Sequence, residues 1–272
     1  MRAEESLREG QLSEALAQLQ AEVRSDPGNA KLRIFLFQLL AVTAQWPRAF
    51  AQLDTLRELD ASSLPMVHAY REAVQCELLR EEVFAGRRSP LVLGDPEPWI
   101  ARMIDALRLG AEGHDAEAQR LRGDAFEAAE TSRGSLDGKG FEWIADGDTR
   151  LGPVLEAIVN GRYYWVPFRR IRRVALEAPS DLRDLVWMPA RFTWVNGGEA
   201  VGFIPVRYPG TSPEDDPQIL LARRTDWESP APDVYIGRGQ RSLVTDGDER
   251  PLLEARELVL ASEEPEPGDS HA

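Results

Sequence analysis

Cysteine and histidine are scarce in this sequence. Its 272 residues include one cysteine, Cys76, and three histidines, so no internal disulfide and no cysteine-rich metal site can form. His68 lies eight residues before Cys76 on one predicted helix, about two turns away and too far for a nucleophile–base pair. The Gly-x-Ser-x-Gly, P-loop and His-Glu-x-x-His motifs are also absent. The common signatures of hydrolases, nucleotide-binding proteins and metalloproteases are therefore excluded.

Long hydrophobic runs are missing as well. The most apolar stretch, 34–42, is interrupted by Gln38 and is far shorter than the ~20 residues that a membrane span needs. The first residues, MRAEE, lack the basic-then-apolar order of a signal peptide. A single cysteine fits a reducing compartment. We therefore predict a cytoplasmic protein that does not bind a membrane.

Positive charge is in short supply. The chain has 32 basic and 46 acidic residues, a formal net charge of −14, and the acidity is spread over both halves. A protein that binds the phosphate backbone of nucleic acids needs clustered positive charge. This balance argues against nucleic acid as a partner and favours a basic protein partner.

Residues 1–130 show the apolar spacing of helices almost throughout. Helices are predicted at 14–24, 30–42 and 48–59, followed by a longer one that carries Val67, Tyr70 and Val74, and by a further pair around 99–107 and 118–125. An offset of 34 residues aligns Leu12 with Trp46, Ala15 with Ala49, Leu16 with Phe50, and Leu19 with Leu53. That period is typical of tetratricopeptide repeats. We predict a tetratricopeptide-like helical array in which each helix pair is stabilised by its neighbour.

The composition changes after residue 130. Residues 131–140, with three glycines, are predicted to be a linker, and five of the seven tryptophans follow it. Strands are predicted at 162–168 and on both sides of the hairpin signal 196–199, and a short helix is predicted at 151–159. The whole is an α+β protein: a helical array at 1–130, an aromatic-rich, mostly antiparallel β domain with a short helix at 141–261, and a disordered acidic tail at 262–272.

The motif Asp146-Gly147-Asp148, followed by Arg150, is the best candidate for chemistry. Alternating acids can supply oxygen ligands to a metal, but the twelfth position of a calcium loop would be Ala157, which cannot bind the ion. The alternative is a tight turn in which the aspartates accept hydrogen bonds from backbone amides. We favour the turn and expect no metal and no cofactor.

A resemblance appears at residues 141–168, FEWIADGDTRLGPVLEAIVNGRYYWVPF. This block resembles the hallmark of the TagJ family, also called ImpE or SciE-type proteins, which are accessory components of bacterial type VI secretion systems. The segments 184–189 (DLVWMP) and 206–210 (VRYPG) are also similar to the family. A helical repeat region before such a block is the layout that the resemblance implies.

The resemblance implies a non-enzymatic cytoplasmic adaptor. Family members bind the N-terminal helix of the small, TssB-like subunit of the contractile sheath, and they are linked to the ClpV ATPase that disassembles the sheath. Two alternatives stay open. One is a hydrolase or metal-binding enzyme centred on Asp146, Asp148 and Arg150, and the other is a generic tetratricopeptide chaperone for a different client.

Aromatic residues of the second region are the candidate partner-binding anchors, because such side chains tend to dominate interfaces. We select Tyr163, Trp187 and Trp194; the alternative is that all three belong to the core. The hallmark residues are assigned a structural role because aromatic burial stabilises a fold and Arg150 can tie the turn. They are Trp143, Asp146, Asp148, Arg150, Tyr164 and Trp165.

Overall fold

The computed structural model describes residues 2–95, 97–212 and 214–261. Its N-terminal region is helical, with α1 (Arg2–Arg8), α2 (Leu12–Ser25), α3 (Ala30–Val42), α4 (Trp46–Leu59), α5 (Leu64–Phe84), α6 (Pro98–Ala111) and α7 (Asp115–Ala128). Consecutive helices from α1 to α5 pack against each other, as do α6 and α7. The side chain of Asn29 caps α3 by accepting hydrogen bonds from the amides of Lys31 and Leu32. Within the described residues, no helix is both long and apolar enough to cross a membrane.

A nine-stranded sheet dominates the second region. Its strand order is β1-β6-β5-β9-β8-β7-β14-β2-β3, and every pairing is antiparallel except β1 with β6. The strands are β1 (Leu91–Val92), β2 (Gly134–Leu136), β3 (Lys139–Phe141), β5 (Val154–Val159), β6 (Arg162–Pro167), β7 (Ile171–Leu176), β8 (Trp187–Trp194), β9 (Glu199–Pro205) and β14 (Glu257–Leu260). The predicted α+β class is confirmed, as are the strand at 162–168 and the hairpin that joins β8 to β9.

Smaller elements surround this sheet. A three-stranded sheet has the order β13-β12-β4, with β4 at Ile144–Asp146, β12 at Ser242–Thr245 and β13 at Glu249–Pro251. A separate hairpin pairs β10 (Thr225–Ala231) with β11 (Val234–Gly239), and a short helix, α8, spans Pro217–Leu220.

The helix predicted at 151–159 is wrong, because this segment contains the strand β5. Leu151, Val154, Leu155, Ile158 and Val159 have the spacing of a helical face. All six residues of β5 are buried, including Glu156. The strand is covered on both faces, and its buried acidic residue interrupts an otherwise apolar run. That interruption produces the apparent helical period.

The predicted linker at 131–140 is also a structured element. Strands β2 and β3 form a hairpin there and extend the edge of the large sheet. Its turn residues, Asp137 and Gly138, have φ angles of 51° and 79°, which is the left-handed geometry that Asp-Gly turns provide. The glycines of this stretch therefore serve a hairpin. The predicted tail at 262–272 lies outside the described residues.

The helices pack directly on one face of the large sheet. Trp187 of β8 lies against rings from three helices, with centroid distances of 6.4 Å to Phe37, 5.9 Å to Trp46 and 5.6 Å to Tyr70. The other face of the sheet packs on the three-stranded sheet, for example through Leu243. One hydrophobic core contains residues of both regions. The division into domains at 1–130 and 141–261 is a statement about independent folding, and it stays a prediction.

Candidate functional site

The Asp146-Gly147-Asp148 motif forms a tight turn after β4. The carboxylate of Asp146 accepts a hydrogen bond from the amide of Asp148 at 2.9 Å, and the carboxylate of Asp148 accepts one from the amide of Arg150 at 2.9 Å. The side chain of Arg150 also pairs with Asp148 through two of its nitrogens. These contacts have the geometry of a turn tied by Arg150, and the structural role of the hallmark residues stays a prediction.

A buried ionic network extends from this turn into the helical layer. Arg241 pairs with both Asp146 and Glu156. The guanidinium of Arg80, on α5, donates to the two carboxylate oxygens of Glu156 at 2.6 and 2.7 Å and to Glu77 at 3.3 Å. Each of these five side chains is at most 5% exposed. The network therefore connects the helices to the sheet through alternating charges.

Two of the predicted partner-binding anchors belong to this buried core. The hydroxyl of Tyr163 donates to Glu156, and the indole of Trp165 donates to the Tyr163 oxygen at 2.8 Å. The indole of Trp187 donates to Glu77 at 3.0 Å. Tyr163, Trp165 and Trp187 are fully buried, so the choice of Tyr163 and Trp187 as anchors is wrong for this conformation. Their N–H and O–H groups satisfy buried carboxylates instead.

The remaining aromatic candidates keep some exposure. Trp194 is half-buried and stacks on Phe192, with a centroid distance of 5.0 Å and an interplanar angle of 11°. Tyr164 is likewise half-buried, on the strand between the two buried rings of Tyr163 and Trp165. Trp194 therefore stays a prediction as a partner contact.

The buried carboxylates differ in proton affinity. Burial raises the pKa of Asp146 to about 6 even though Arg241 opposes that change. Burial acts in the same direction on Glu156, but Arg80 and Arg241 outweigh it and lower the pKa of Glu156 to about 2. Among the described residues, no group of three or more His, Cys, Asp or Glu side chains could hold a metal ion. The geometry of these acids is that of a structural network.

An open groove beside the turn is lined by exposed aromatic rings. Trp143, Trp227 and Tyr235 are 39%, 38% and 48% exposed. They surround a volume of about 680 Å³ together with Phe126 of α7, and we call it the aromatic groove. Its walls come from α7, the segment before β4, and the β10–β11 hairpin. Exposed aromatic clusters of this kind are typical of binding surfaces.

Two glycines shape the groove. A Cβ atom at Gly147 would lie 2.8 Å from the Trp227 ring, and one at Gly152 would lie 2.5 Å from the Phe126 ring. Gly152 also has a φ of 51°, which favours glycine. The hallmark motif therefore also shapes the groove, because the absence of a side chain at Gly147 leaves room for the Trp227 ring.

Most of this surface is not apparent from the sequence. The sequence predicts a structural role for Trp143, but its ring lies at the mouth of the groove. Trp227 and Tyr235 are not among the residues that the sequence singles out. The available signal was an aromatic residue among polar neighbours, as in the TDWES stretch of β10.

The helical layer, the antiparallel sheet and the hallmark turn define a class of proteins with known members. The family model described as "ImpE protein" matches residues 138–259. The type VI secretion system accessory component TagJ of Pseudomonas aeruginosa is 54% identical over 258 residues, which cover 95% of this chain and 90% of TagJ. The chain therefore belongs to the ImpE/TagJ family, as the resemblance at 141–168 predicted.

A solved structure supports the same fold. The crystal structure of protein VPA1032 from Vibrio parahaemolyticus matches this one with a TM-score of 0.88 and a sequence identity of 24%. The match covers 97% of this chain and 98% of that chain. The helical region and the sheet region are thus found together, in one arrangement, in a solved structure of low sequence identity.

Proposed function

We propose that this protein is a non-enzymatic, cytoplasmic adaptor of a type VI secretion system. In this proposal it binds the N-terminal helix of the small, TssB-like sheath subunit and assists sheath disassembly or recycling linked to the ClpV ATPase. The family membership supports the secretion role. The observation that carries the binding role is the aromatic groove, because it is a large apolar surface with no occupant from the described residues.

The shape of the groove suits one face of an amphipathic helix. Helix-in-groove recognition places apolar side chains spaced at i, i+3, i+4 and i+7 into a hydrophobic cleft. Trp143, Trp227 and Tyr235 offer rigid apolar surface at low cost in conformational entropy. The volume of about 680 Å³ is within the range of ligand sites, ~300–1,000 Å³. It can accommodate apolar side chains from successive turns of one helix.

Charge favours a helix with basic flanks. Glu130 and Glu249 line the groove, and the chain as a whole carries a net charge of −14. Complementary charge of this kind accelerates encounter and orients the partner more than it raises the final affinity. The proposed complex should therefore associate more slowly at high salt, with a correspondingly modest rise in Kd.

Peptide titration tests the proposal. A fluorescent peptide of the sheath subunit's N-terminal helix is titrated into the full chain and into Trp143→Ala, Trp227→Ala and Trp194→Ala, and a scrambled peptide is the control. We expect each groove variant to lose roughly 1–3 kcal/mol of binding free energy, which is about a 5- to 150-fold rise in Kd. Trp194→Ala tests the one predicted anchor that is not fully buried, which lies outside the groove.

The outcomes separate the function from its location. If the intact chain does not bind the peptide, the adaptor proposal is wrong. If only Trp194→Ala weakens binding, the function stands and the groove assignment is wrong. Equal binding of the scrambled peptide would favour a general chaperone for other clients. A pull-down with ClpV, in the presence and absence of the sheath subunit, tests whether the ATPase is contacted directly.

A further inference from the structure

We propose that a second cavity, between the α6–α7 helix pair and the β10–β11 hairpin, binds a small organic carboxylate that carries an apolar group. The cavity has a volume of about 240 Å³. We call it the Arg122 cavity; Arg122 lines it together with Phe84, Leu107, Ala118, Arg150, Val234 and Ile236. This inference is independent of the adaptor function.

Arg122 is a buried cation that lacks a direct partner. It lies on α7 and is 9% exposed. Within the described residues Arg122 donates no hydrogen bond and forms no ion pair. The other buried arginines differ from it: Arg80 and Arg241 pair with carboxylates. Arg207 donates to three backbone carbonyls. Its nitrogens, those of Arg122, are not among the fully buried unpaired atoms of the described residues, so the guanidinium faces the open cavity. An anionic ligand bound there would give it the direct partner that the described part of the chain does not supply.

The charged groups around Arg122 are balanced in sign, but Arg122 itself forms no hydrogen bond or ion pair with any of them among the described residues. Arg150 lines the same cavity, and its Nε and Nη2 atoms are occupied by Asp148. Asp148 also accepts hydrogen bonds from the amides of Arg150 at 2.9 Å and Gly237 at 3.0 Å, so its charge is shared among three donor groups. Asp115, at the exposed start of α7, is the other acid that lines the cavity, and water screens it. Burial lowers the pKa of Arg122 and Arg150 adds to this effect, whereas Asp148 and Asp115 oppose it.

The lining selects the ligand class. A guanidinium binds a carboxylate through two parallel hydrogen bonds, and the walls contributed by Phe84, Leu107, Val234 and Ile236 are apolar. A free phosphate would leave these walls without contacts. The volume is also too small for a nucleotide, because sites for drug-sized ligands span ~300–1,000 Å³. The best match is a compact carboxylate with an aromatic or branched aliphatic body.

Benzoate is a suitable probe because it combines one carboxylate with one ring. We would measure its binding to the full chain by calorimetry and by thermal shift, with benzamide as the neutral analogue and inorganic phosphate as the purely polar anion. Arg122→Met removes the guanidinium. Arg120→Met is the matched control, since Arg120 lies on the same helix but is exposed and pairs with Asp124. Arg122→Lys keeps the charge and removes the planar fork.

We expect saturable binding of benzoate to the parent chain and to Arg120→Met, with affinity lowered at least ~10-fold in Arg122→Met and to an intermediate degree in Arg122→Lys. Without ligand, Arg122→Met should keep or raise the Tm, because it removes an unpaired buried charge. Equal binding of benzamide, equal binding of phosphate, unchanged binding to Arg122→Met, or no saturable binding of benzoate would each overturn the proposal. A lowered Tm of Arg122→Met without ligand would show that Arg122 is already paired within the fold.

Discussion

Replacing Glu156 by glutamine tests the buried ionic network at its centre. The carboxylate is fully buried and accepts hydrogen bonds from Arg80, Arg241 and Tyr163. Glutamine has nearly the same shape but no charge. The substitution would leave the two guanidinium groups with only Glu77 and Asp146 as buried anionic partners. We therefore expect Glu156→Gln to fold but to be markedly less stable.

The magnitude follows from proton linkage. Burial would raise the pKa of Glu156, but Arg80 and Arg241 lower it from its ordinary value of 4.5 to about 2. At about 1.4 kcal/mol per pKa unit, the charged form contributes on the order of 3 kcal/mol to the free energy of unfolding. Breaking a buried ion pair by removing one partner costs about 3–5 kcal/mol. Both arguments give a loss of roughly 3 kcal/mol.

The sign of the pH dependence is fixed by the lowered pKa. The stabilisation by Glu156 is fully present above about pH 4.5, the pKa in the unfolded chain, and is lost as the pH falls towards 2. Asp146 acts in the opposite direction, because its raised pKa favours the folded state when the pH falls below about 6. Both proteins contain Asp146, but the charge of Glu156 helps to raise the pKa of Asp146, so Glu156→Gln should also lower that pKa.

Urea unfolding followed by tryptophan fluorescence measures the difference in stability. The free energies of unfolding of the parent chain and Glu156→Gln are compared at neutral pH and at about pH 3. Glu82→Gln serves as the control, because Glu82 forms an exposed ion pair with Arg87 and should leave stability nearly unchanged. The reasoning is refuted if Glu156→Gln matches the parent chain at neutral pH, or if the gap between them does not narrow in acid.

Three further predictions concern single residues. Asp148→Ala should lower the free energy of unfolding by roughly 2–4 kcal/mol in urea titrations, since the amide of Gly237 and a guanidinium lose their buried acceptor; an unchanged midpoint would contradict this. Gly147→Ala should displace Trp227 and weaken helix-peptide binding, with stability altered by no more than about 1 kcal/mol. Cys76 should not react with a thiol reagent at about pH 8 until the chain is unfolded, because burial raises its pKa to about 12.

Sequence periodicity predicted the helical region well. Helix α3 has the predicted bounds, 30–42, because its apolar residues repeat with the helical period and Asn29 marks its start. The same criterion failed for β5. There the buried charge of Glu156 produced the spacing of a helix, and its partners Arg80 and Arg241 are 76 and 85 residues away along the chain.

The aromatic groove was harder to predict than the fold. Tyr163 and Trp187 are of the residue types that often serve as interface anchors. Their polar atoms, however, donate to buried carboxylates, and no local sequence pattern reveals these contacts. The aromatic groove joins Phe126, Trp143 and Trp227 from three separate elements. Only the tertiary structure brings such distant positions together, so their shared role has no signature in a sequence window.

The contacts between the helical layer and the sheet also constrain how this chain can evolve. Phe126 of α7 rests on Gly152, and Arg80 of α5 enters the sheet to reach Glu156. A recombination event that exchanged the first 130 residues between diverged relatives would separate each of these residues from its counterpart. The two regions are therefore expected to be inherited together, with compensating substitutions in one whenever the other changes.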